Sequence, residues 1–263
     1  MAGMAGIEQA LAFQDPADRT ISGILASPAN GSDRLVVLCH GFLSNKNSAT
    51  NRILTAKLIE RGIATFRFDF FGQGDTEGPF ERITVTTAVN QALAALDLVA
   101  SKGYRRLGLV GSSFGGLVAI LAAGQSPQKG IPLSALALKC PVPDFPEMLR
   151  LEFGEVGMDR WKRSNVIPNV AGGSEPVSLP FAFYDDCLAH DAYKTAESIQ
   201  APVLIVQGDR DEYVPLHQSR LLFDAVRVEK RLEILSGADH RFTRPDDFHM
   251  MTTLLTDWLI MHL

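Results

Sequence analysis

Ser113 stands in Gly111-Ser112-Ser113-Phe114-Gly115, a G-x-S-x-G string whose chemistry would be nucleophilic attack on an acyl carbon. Upstream, Leu107 to Val110 is an apolar run of strand length, and downstream Gly116 to Ala123 is apolar and rich in helix formers. A serine at a sharp strand-to-helix turn is forced out of both elements, so its hydroxyl stands exposed above the sheet. The flanking glycines suit a backbone folded too tightly for side chains. An ordinary glycine-rich loop is the alternative reading of the same five residues.

A serine hydroxyl is a weak nucleophile until a base takes its proton, and that base works best when a carboxylate orients it. The acid and then the histidine are therefore sought further along the chain. Of the six histidines, His240 is the best placed. It follows the late apolar run Leu232 to Leu235 through the small-residue loop Ser236-Gly237-Ala238-Asp239. His249 and His262 fall on a terminal helix, His190 in an irregular stretch and His217 at a helix start. The acid is sought in Gln207-Gly208-Asp209-Arg210-Asp211-Glu212-Tyr213-Val214-Pro215, behind the run Val203 to Val206. Asp211 is preferred, because a tight turn after Gly208 can aim it at the His240 loop. Asp209 is the reserve, expected to hold the turn itself. Glu212 is expected to face solvent.

The tetrahedral intermediate of acyl transfer needs two donors aimed at its oxyanion. The backbone N–H of Phe114, next after the nucleophile, supplies one. The N–H of Phe42, in His40-Gly41-Phe42 at the end of Leu35 to Cys39, is expected to supply the other. His40 is expected to pack and hydrogen-bond within its loop.

These groups need a frame that brings them to one edge. Leu35 to Cys39, Ile63 to Phe68, Leu107 to Val110, Ala135 to Leu138, Val203 to Val206 and Leu232 to Leu235 are short apolar runs, several without alternation. That is the pattern of strands buried on both faces of a parallel sheet. Helical patterns lie between them, at Asn51 to Arg61, Thr84 to Ser101, Gly115 to Gly124, Leu216 to Val226 and Asp246 to His262. The alternation predicts an α/β fold with a doubly wound, mostly parallel sheet. Ile7 to Phe13 and Thr20 to Leu25, around Asp15-Pro16, predict an antiparallel hairpin at its edge.

Residues 141–200 break the rhythm, with Pro143, Phe145, Trp161, Gly172, Pro180, Phe181 and Tyr184 among their proline, glycine and aromatic residues. So long a structureless loop is improbable in a compact domain. The stretch is expected to be a small inserted cap over the strand C-termini, where open α/β sheets bind ligands. Residues 1–140 and 201–263 then form the core domain.

A net charge of −5 provides no electrostatic footprint for nucleic acid or an anionic membrane surface. No apolar run approaches the roughly 18 residues that cross a bilayer. Met1 to Gly6 lacks the basic and apolar segments of a secretory signal. Cys39, Cys140 and Cys187 sit in apolar surroundings and are expected to be buried free thiols in a reducing, cytosolic compartment. No metal-ligand spacing and no phosphate-cradling loop occurs, so neither metal nor cofactor is expected. Monomer and homodimer are both compatible with the sequence.

Taken together, His40-Gly41-Phe42, Phe68-Asp69-Phe70-Phe71-Gly72-Gln73-Gly74-Asp75-Thr76, the Ser113 turn, Gly208 to Pro215 and Asp239-His240 resemble the α/β-hydrolases over nearly the whole chain. The D-x-x-G-x-G loop at Asp69 and the size of the cap resemble bacterial cinnamoyl (feruloyl) esterases. They also resemble the related acyl-lipid lipase and serine aminopeptidase-like hydrolases. That loop commonly ends in serine, where this chain has Thr76. The resemblance makes Asp69 a structural carboxylate. Fold relatives that use aspartate at the nucleophile are excluded by Ser113, so the implied chemistry is acyl transfer to water.

What the resemblance implies is a serine carboxylesterase acting on small-molecule esters, hydroxycinnamoyl esters among them. The positions that meet a ring hydroxyl in such esterases resemble Asp144 and Tyr184; the bland reading is that Asp144 caps a helix and Tyr184 packs in the cap. A monoacylglycerol-type lipase would share every catalytic residue. A serine aminopeptidase would need carboxylates for the substrate's amino group, for which Glu152 and Glu155 are the weak candidates. A catalytically silent binding protein is the rival outside enzymology, and the complete Ser113, Asp211 and His240 set argues against it.

Overall fold

The computed structural model of the chain describes residues 6–169 and 175–263; residues 1–5 of the opening segment and Gly172 lie outside the described residues. An eight-stranded sheet runs through it in the order β1-β4-β6-β5-β7-β8-β11-β12. These strands are β1 (Ile7–Ala10), β4 (Gly23–Ser27), β5 (Arg34–Cys39), β6 (Ala64–Phe68), β7 (Arg106–Ser112), β8 (Ala135–Lys139), β11 (Val203–Gly208) and β12 (Lys230–Leu235). β4 is antiparallel to both its neighbours, and all pairings from β6 to β12 are parallel.

The expected hairpin is present in two ladders. β1 pairs with β4, whereas β2 (Phe13–Gln14) and β3 (Thr20–Ile21) pair with each other. The Asp15 carboxylate turns the chain between them by accepting the N–H groups of Ala17 and Arg19.

The unbroken apolar strands have a direct structural reading. Along β5, Leu35, Val37 and Cys39 enter one core, while Val36 and Leu38 enter a second core on the other face. With both faces covered, apolar residues are needed at every position, and alternation disappears. Helices α2 (Val85–Ser101) and α3 (Phe114–Gln125) cover the first face. Helices α1 (Ala49–Glu60) and α8 (Pro245–His262) cover the second through Leu54, Leu58, Met251, Leu255 and Leu259. Ser48 caps α1 by accepting the Asn51 N–H, and Thr84 caps α2 by accepting that of Thr87.

Between β8 and β11 lie α4 (Phe145–Ser164), kinked at Gly154, the paired strands β9 (Val166–Ile167) and β10 (Val177–Ser178), α5 (Ala182–Leu188) and α6 (Ala192–Ala196). The Trp161 indole is buried and donates to the Leu179 carbonyl, tying α4 to the segment after β10. α6 returns to the core and packs on α3 and on α7 (Leu216–Ala225). Because β5, β7, β8, β11 and β12 are parallel, their following loops open on one edge of the sheet. Those loops carry Phe42, Ser113, the inserted segment, Asp211 and His240.

Candidate active site

Ser113 sits between β7 and α3 with φ 54° and ψ −117°, a conformation costing about 1–3 kcal/mol unless its surroundings impose it. They do impose it. The Ser113 N–H donates to the Lys139 carbonyl, and its own carbonyl accepts from Gly116 and Leu117. A Cβ on Gly111 would lie 2.2 Å from the Gly115 carbonyl oxygen, and one on Gly115 would lie 2.4 Å from the carbonyl oxygens of Cys39 and His40. Both glycines of the motif therefore answer to close backbone approach.

The Ser113 Oγ lies 3.1 Å from His240 Nε2, and His240 Nδ1 lies 2.8 Å from Asp211 Oδ2. Widely separated loops thus bring hydroxyl, imidazole and carboxylate into hydrogen-bonding succession. The Asp211 side chain is 1% exposed, and its other oxygen accepts the N–H groups of Tyr213 and Val214. Burial alone would raise the Asp211 carboxyl. The hydrogen bond and charge of His240, joined by those N–H groups, outweigh it and hold the carboxyl below its ordinary range. Asp209 instead accepts the Gly237 N–H at 2.6 Å, pinning the start of the His240 loop. Glu212 is exposed yet accepts the His240 backbone N–H.

Among the described residues, no backbone turn, loop or cap hydrogen bond uses the N–H of Phe42 or of Phe114. Gly41 passes close to the nucleophile, a Cβ there lying 3.6 Å from that of Ser113. The Phe42 ring packs against Phe80, Phe114, Phe145 and Phe183 at centroid distances of 5.3 to 5.8 Å, which fixes the backbone on either side of the serine.

Several contributors escaped the sequence reading. Gln207 is buried, donates to Asp211 Oδ2 at 2.7 Å, and is itself held by the Ser219 hydroxyl. Lys139 is buried and donates to the His240 carbonyl at 2.8 Å. Tyr213 sets its ring edge-on to the His240 imidazole. The available signal was a polar residue closing an otherwise apolar strand, at Lys139 of β8 and Gln207 of β11.

A cavity of about 380 Å³ opens beside Ser113 and His240. Phe145, Met148 and Leu149 of α4 and Ile167 of β9 line it, together with Phe42 and Val142. Asp144 and Tyr184 do not line it. Asp144 caps α4 by accepting the Glu147 N–H, and the Tyr184 hydroxyl meets Arg150 while its ring packs on Trp161 and Phe181. Both side chains thus find their partners within the inserted segment, and neither is brought to the cavity beside Ser113. Among the described residues, Cys140, Asp211 and His240 place potential metal-ligating atoms within 4.8 Å of one another. Two of the three are already bonded to each other, so the group belongs to the hydrogen-bonded succession.

The loops behind the site are held by buried polar groups. Asp69 accepts the N–H groups of Lys46 and Asp75 and the Lys46 ammonium, and the Thr76 hydroxyl donates to the Asp69 carbonyl. Threonine thus supplies the hydroxyl in the place where serine is usual. His40 is buried; its Nδ1 lies 2.8 Å from the Gly41 carbonyl and its Nε2 accepts the Phe70 N–H. Burial pushes the imidazole down to about 4 from its ordinary 6.5. Between these values the unfolded chain binds a proton that the folded protein refuses, so stability rises with pH. This contribution is complete above 6.5 and is lost as the pH falls towards 4, by on the order of 3 kcal/mol in full. Urea midpoints measured at pH 7.5 and 5 should fall on acidification. In His40→Gln the overall stability should be lower but the pH slope shallower; an unchanged slope would rule His40 out as its source.

Known proteins are similar to this chain in sequence and in fold. A family model described as the alpha/beta hydrolase family matches residues 36–249. The mitochondrial palmitoyl-protein thioesterase ABHD10 of Rattus norvegicus is 26% identical over 234 residues, covering 86% of this chain and 75% of that protein. Est1E from Butyrivibrio proteoclasticus, solved with ferulic acid bound, superimposes with a TM-score of 0.82 at 23% identity, covering 96% of this chain and 98% of that one. The monoacylglycerol lipase of Mycolicibacterium smegmatis is 30% identical over 97 residues, 36% of this chain and 34% of that protein. No described helix is long and apolar enough to cross a membrane.

Proposed function

Because this chain belongs to the alpha/beta hydrolase family, we propose that it is a serine hydrolase of carboxylic esters and thioesters with apolar acyl groups. The observation that carries this reading is the Ser113–His240–Asp211 succession opening into a cavity with apolar residues from α4 and β9. Ser113 Oγ attacks the acyl carbon while His240 Nε2 takes its proton. The oxyanion is met by the N–H groups of Phe42 and Phe114. The carbonyl re-forms as the bond to the leaving oxygen or sulfur breaks, and His240 returns the proton to that atom. Water, deprotonated by the same imidazole, then attacks the acyl-enzyme; the acid leaves and Ser113 regains its proton. Asp211 keeps Nδ1 protonated and supports the cationic imidazole throughout.

The apolar lining favours an acyl chain or a bare ring over an acyl group recognised by its hydroxyls. The named activities of the rat thioesterase and the fold likeness to Est1E support thioester and ester arms of the same reading. Glu152 and Glu155 are exposed on α4, and among the described residues no carboxylate lines the cavity to meet a substrate ammonium, which counts against an aminopeptidase. The buried free thiols Cys39, Cys140 and Cys187 fit a reducing compartment, the cytosol or the mitochondrial location in the rat relative's name.

A panel of esters and thioesters with acyl chains of two to sixteen carbons, and with feruloyl and cinnamoyl groups, tests the reading. Expected is higher kcat/KM for chains of intermediate length than for acetyl, and no advantage of feruloyl over cinnamoyl. A strong feruloyl preference would restore ring-hydroxyl recognition, and absence of all turnover would sink the proposal.

A further inference from the structure

The charged residues lining the cavity beside the nucleophile are opposite in sign to the chain's net charge. The protein carries a net charge of −5, with 30 acidic residues, yet among the described residues no aspartate or glutamate lines the cavity beside Ser113. Lys139 and Arg241 do line it. Lys139 is 7% exposed; its ammonium donates to the His240 carbonyl and lies 5.4 Å from the centre of the Phe242 ring. Among the described residues no carboxylate forms an ion pair with Lys139 or with the exposed Arg241. Of the acids on the two loops, Asp239 accepts the Thr243 N–H and hydroxyl, and Glu212 accepts the His240 N–H. A buried cation without a counter-ion is costly, and the cost is reduced when a ligand brings the opposite charge.

A further feature has the same sign. The first turn of α1 opens on the cavity through Ser48, Ala49 and Thr50 and contains no acidic residue.

The reaction geometry says which half of the substrate meets this charge. His240 must hand its proton to the leaving atom, so the leaving group lies on the His240 side. Arg241 is the next residue, and Lys139 holds the carbonyl of His240 itself. The acyl group is left to the apolar residues of α4 and β9. We propose that the site selects esters and thioesters whose leaving alcohol or thiol carries an anionic group such as a carboxylate, received by Lys139 and Arg241. This substrate class rests on the hydrolase reading above.

Butyrate esters of 3-hydroxybenzoate and 3-hydroxybenzamide test it, since the two leaving groups match in shape and differ in charge. The ratio of their kcat/KM values cancels any general loss of activity. In the wild-type protein the ratio should favour the anionic ester by on the order of tenfold, and shrink as salt rises from 0.05 to 0.5 M. Arg241→Gln should bring the ratio close to one, and Arg241→Lys should keep most of it. If the neutral ester turns over while the ratio stays at or below one, or ignores both salt and Arg241→Gln, the anionic leaving group is refuted and the hydrolase reading stands. If neither ester turns over and a fluorophosphonate fails to label Ser113, the hydrolase reading falls and this inference with it.

Discussion

Replacing Ser113 with alanine is expected to lower kcat on a neutral ester by about a million-fold, the size of effect seen when a nucleophile that works as a unit with its base is removed. The folded structure should survive the change. The Ser113 hydroxyl makes no capping bond to α3, and the bonds that impose its backbone conformation all run through main-chain atoms. Alanine meets the same positive φ as serine, so no new strain enters. The variant should therefore unfold at nearly the wild-type temperature while losing covalent labelling by a fluorophosphonate. Residual turnover should come only from the Phe42 and Phe114 N–H groups and from binding. Retention of even one-hundredth of the activity, or of the label, would mean that another group is the nucleophile. The free thiols are poor substitutes: Cys39 and Cys140 are buried, and burial pushes both well above the ordinary thiol range.

Backbone architecture and the meeting of Ser113, Asp211 and His240 were open to sequence reading for different physical reasons. A strand covered on both faces must be apolar throughout, so Leu35 to Cys39 and Val203 to Val206 are recognisable without any knowledge of their neighbours. The Gly111 and Gly115 positions are equally transparent, because each has another backbone within the space of a Cβ. Position along the chain sufficed to prefer His240, which follows the last parallel strand.

Side-chain direction was not available in the same way. Asp144 and Tyr184 lie in a segment without periodicity, and nothing in their spacing says that one carboxylate closes a helix and one hydroxyl turns to Arg150. The same is true of α4, where Phe145, Met148, Leu149 and Trp161 are buried but Glu152, Glu155 and Asp159 face solvent across the kink at Gly154. A helix bent there presents two short faces in place of one continuous stripe. Gln207 and Lys139 are the reverse case. Each interrupts an apolar strand at its C-terminal end, where the loops of a parallel sheet gather their chemistry. A polar residue at such a place has to find a buried partner, and here the partners are Asp211 and the His240 carbonyl.

The pair of aspartates on the β11 loop separates orientation from loop anchoring. Asp211→Asn should lower kcat by roughly ten-thousand-fold. Its two oxygens accept four hydrogen bonds, from the Tyr213 and Val214 N–H groups on one side and from Gln207 and His240 on the other. If the asparagine oxygen keeps the backbone pair, its NH₂ group points at two donors. The imidazole can then relieve the clash only by moving its proton from Nδ1 to Nε2, the atom that must accept from Ser113. The base is thereby lost without disturbing the distance of 3.1 Å between Nε2 and Oγ. Asp209→Asn provides the contrast, because it needs only one acceptor for the Gly237 N–H and asparagine supplies it. Turnover there should stay within about fivefold of wild type, the loss of one charge-assisted bond at an exposed turn being small. Measuring kcat for both variants on one neutral ester decides the assignment. A crippled Asp209→Asn beside a mildly affected Asp211→Asn would transfer the orienting role from one carboxylate to the other.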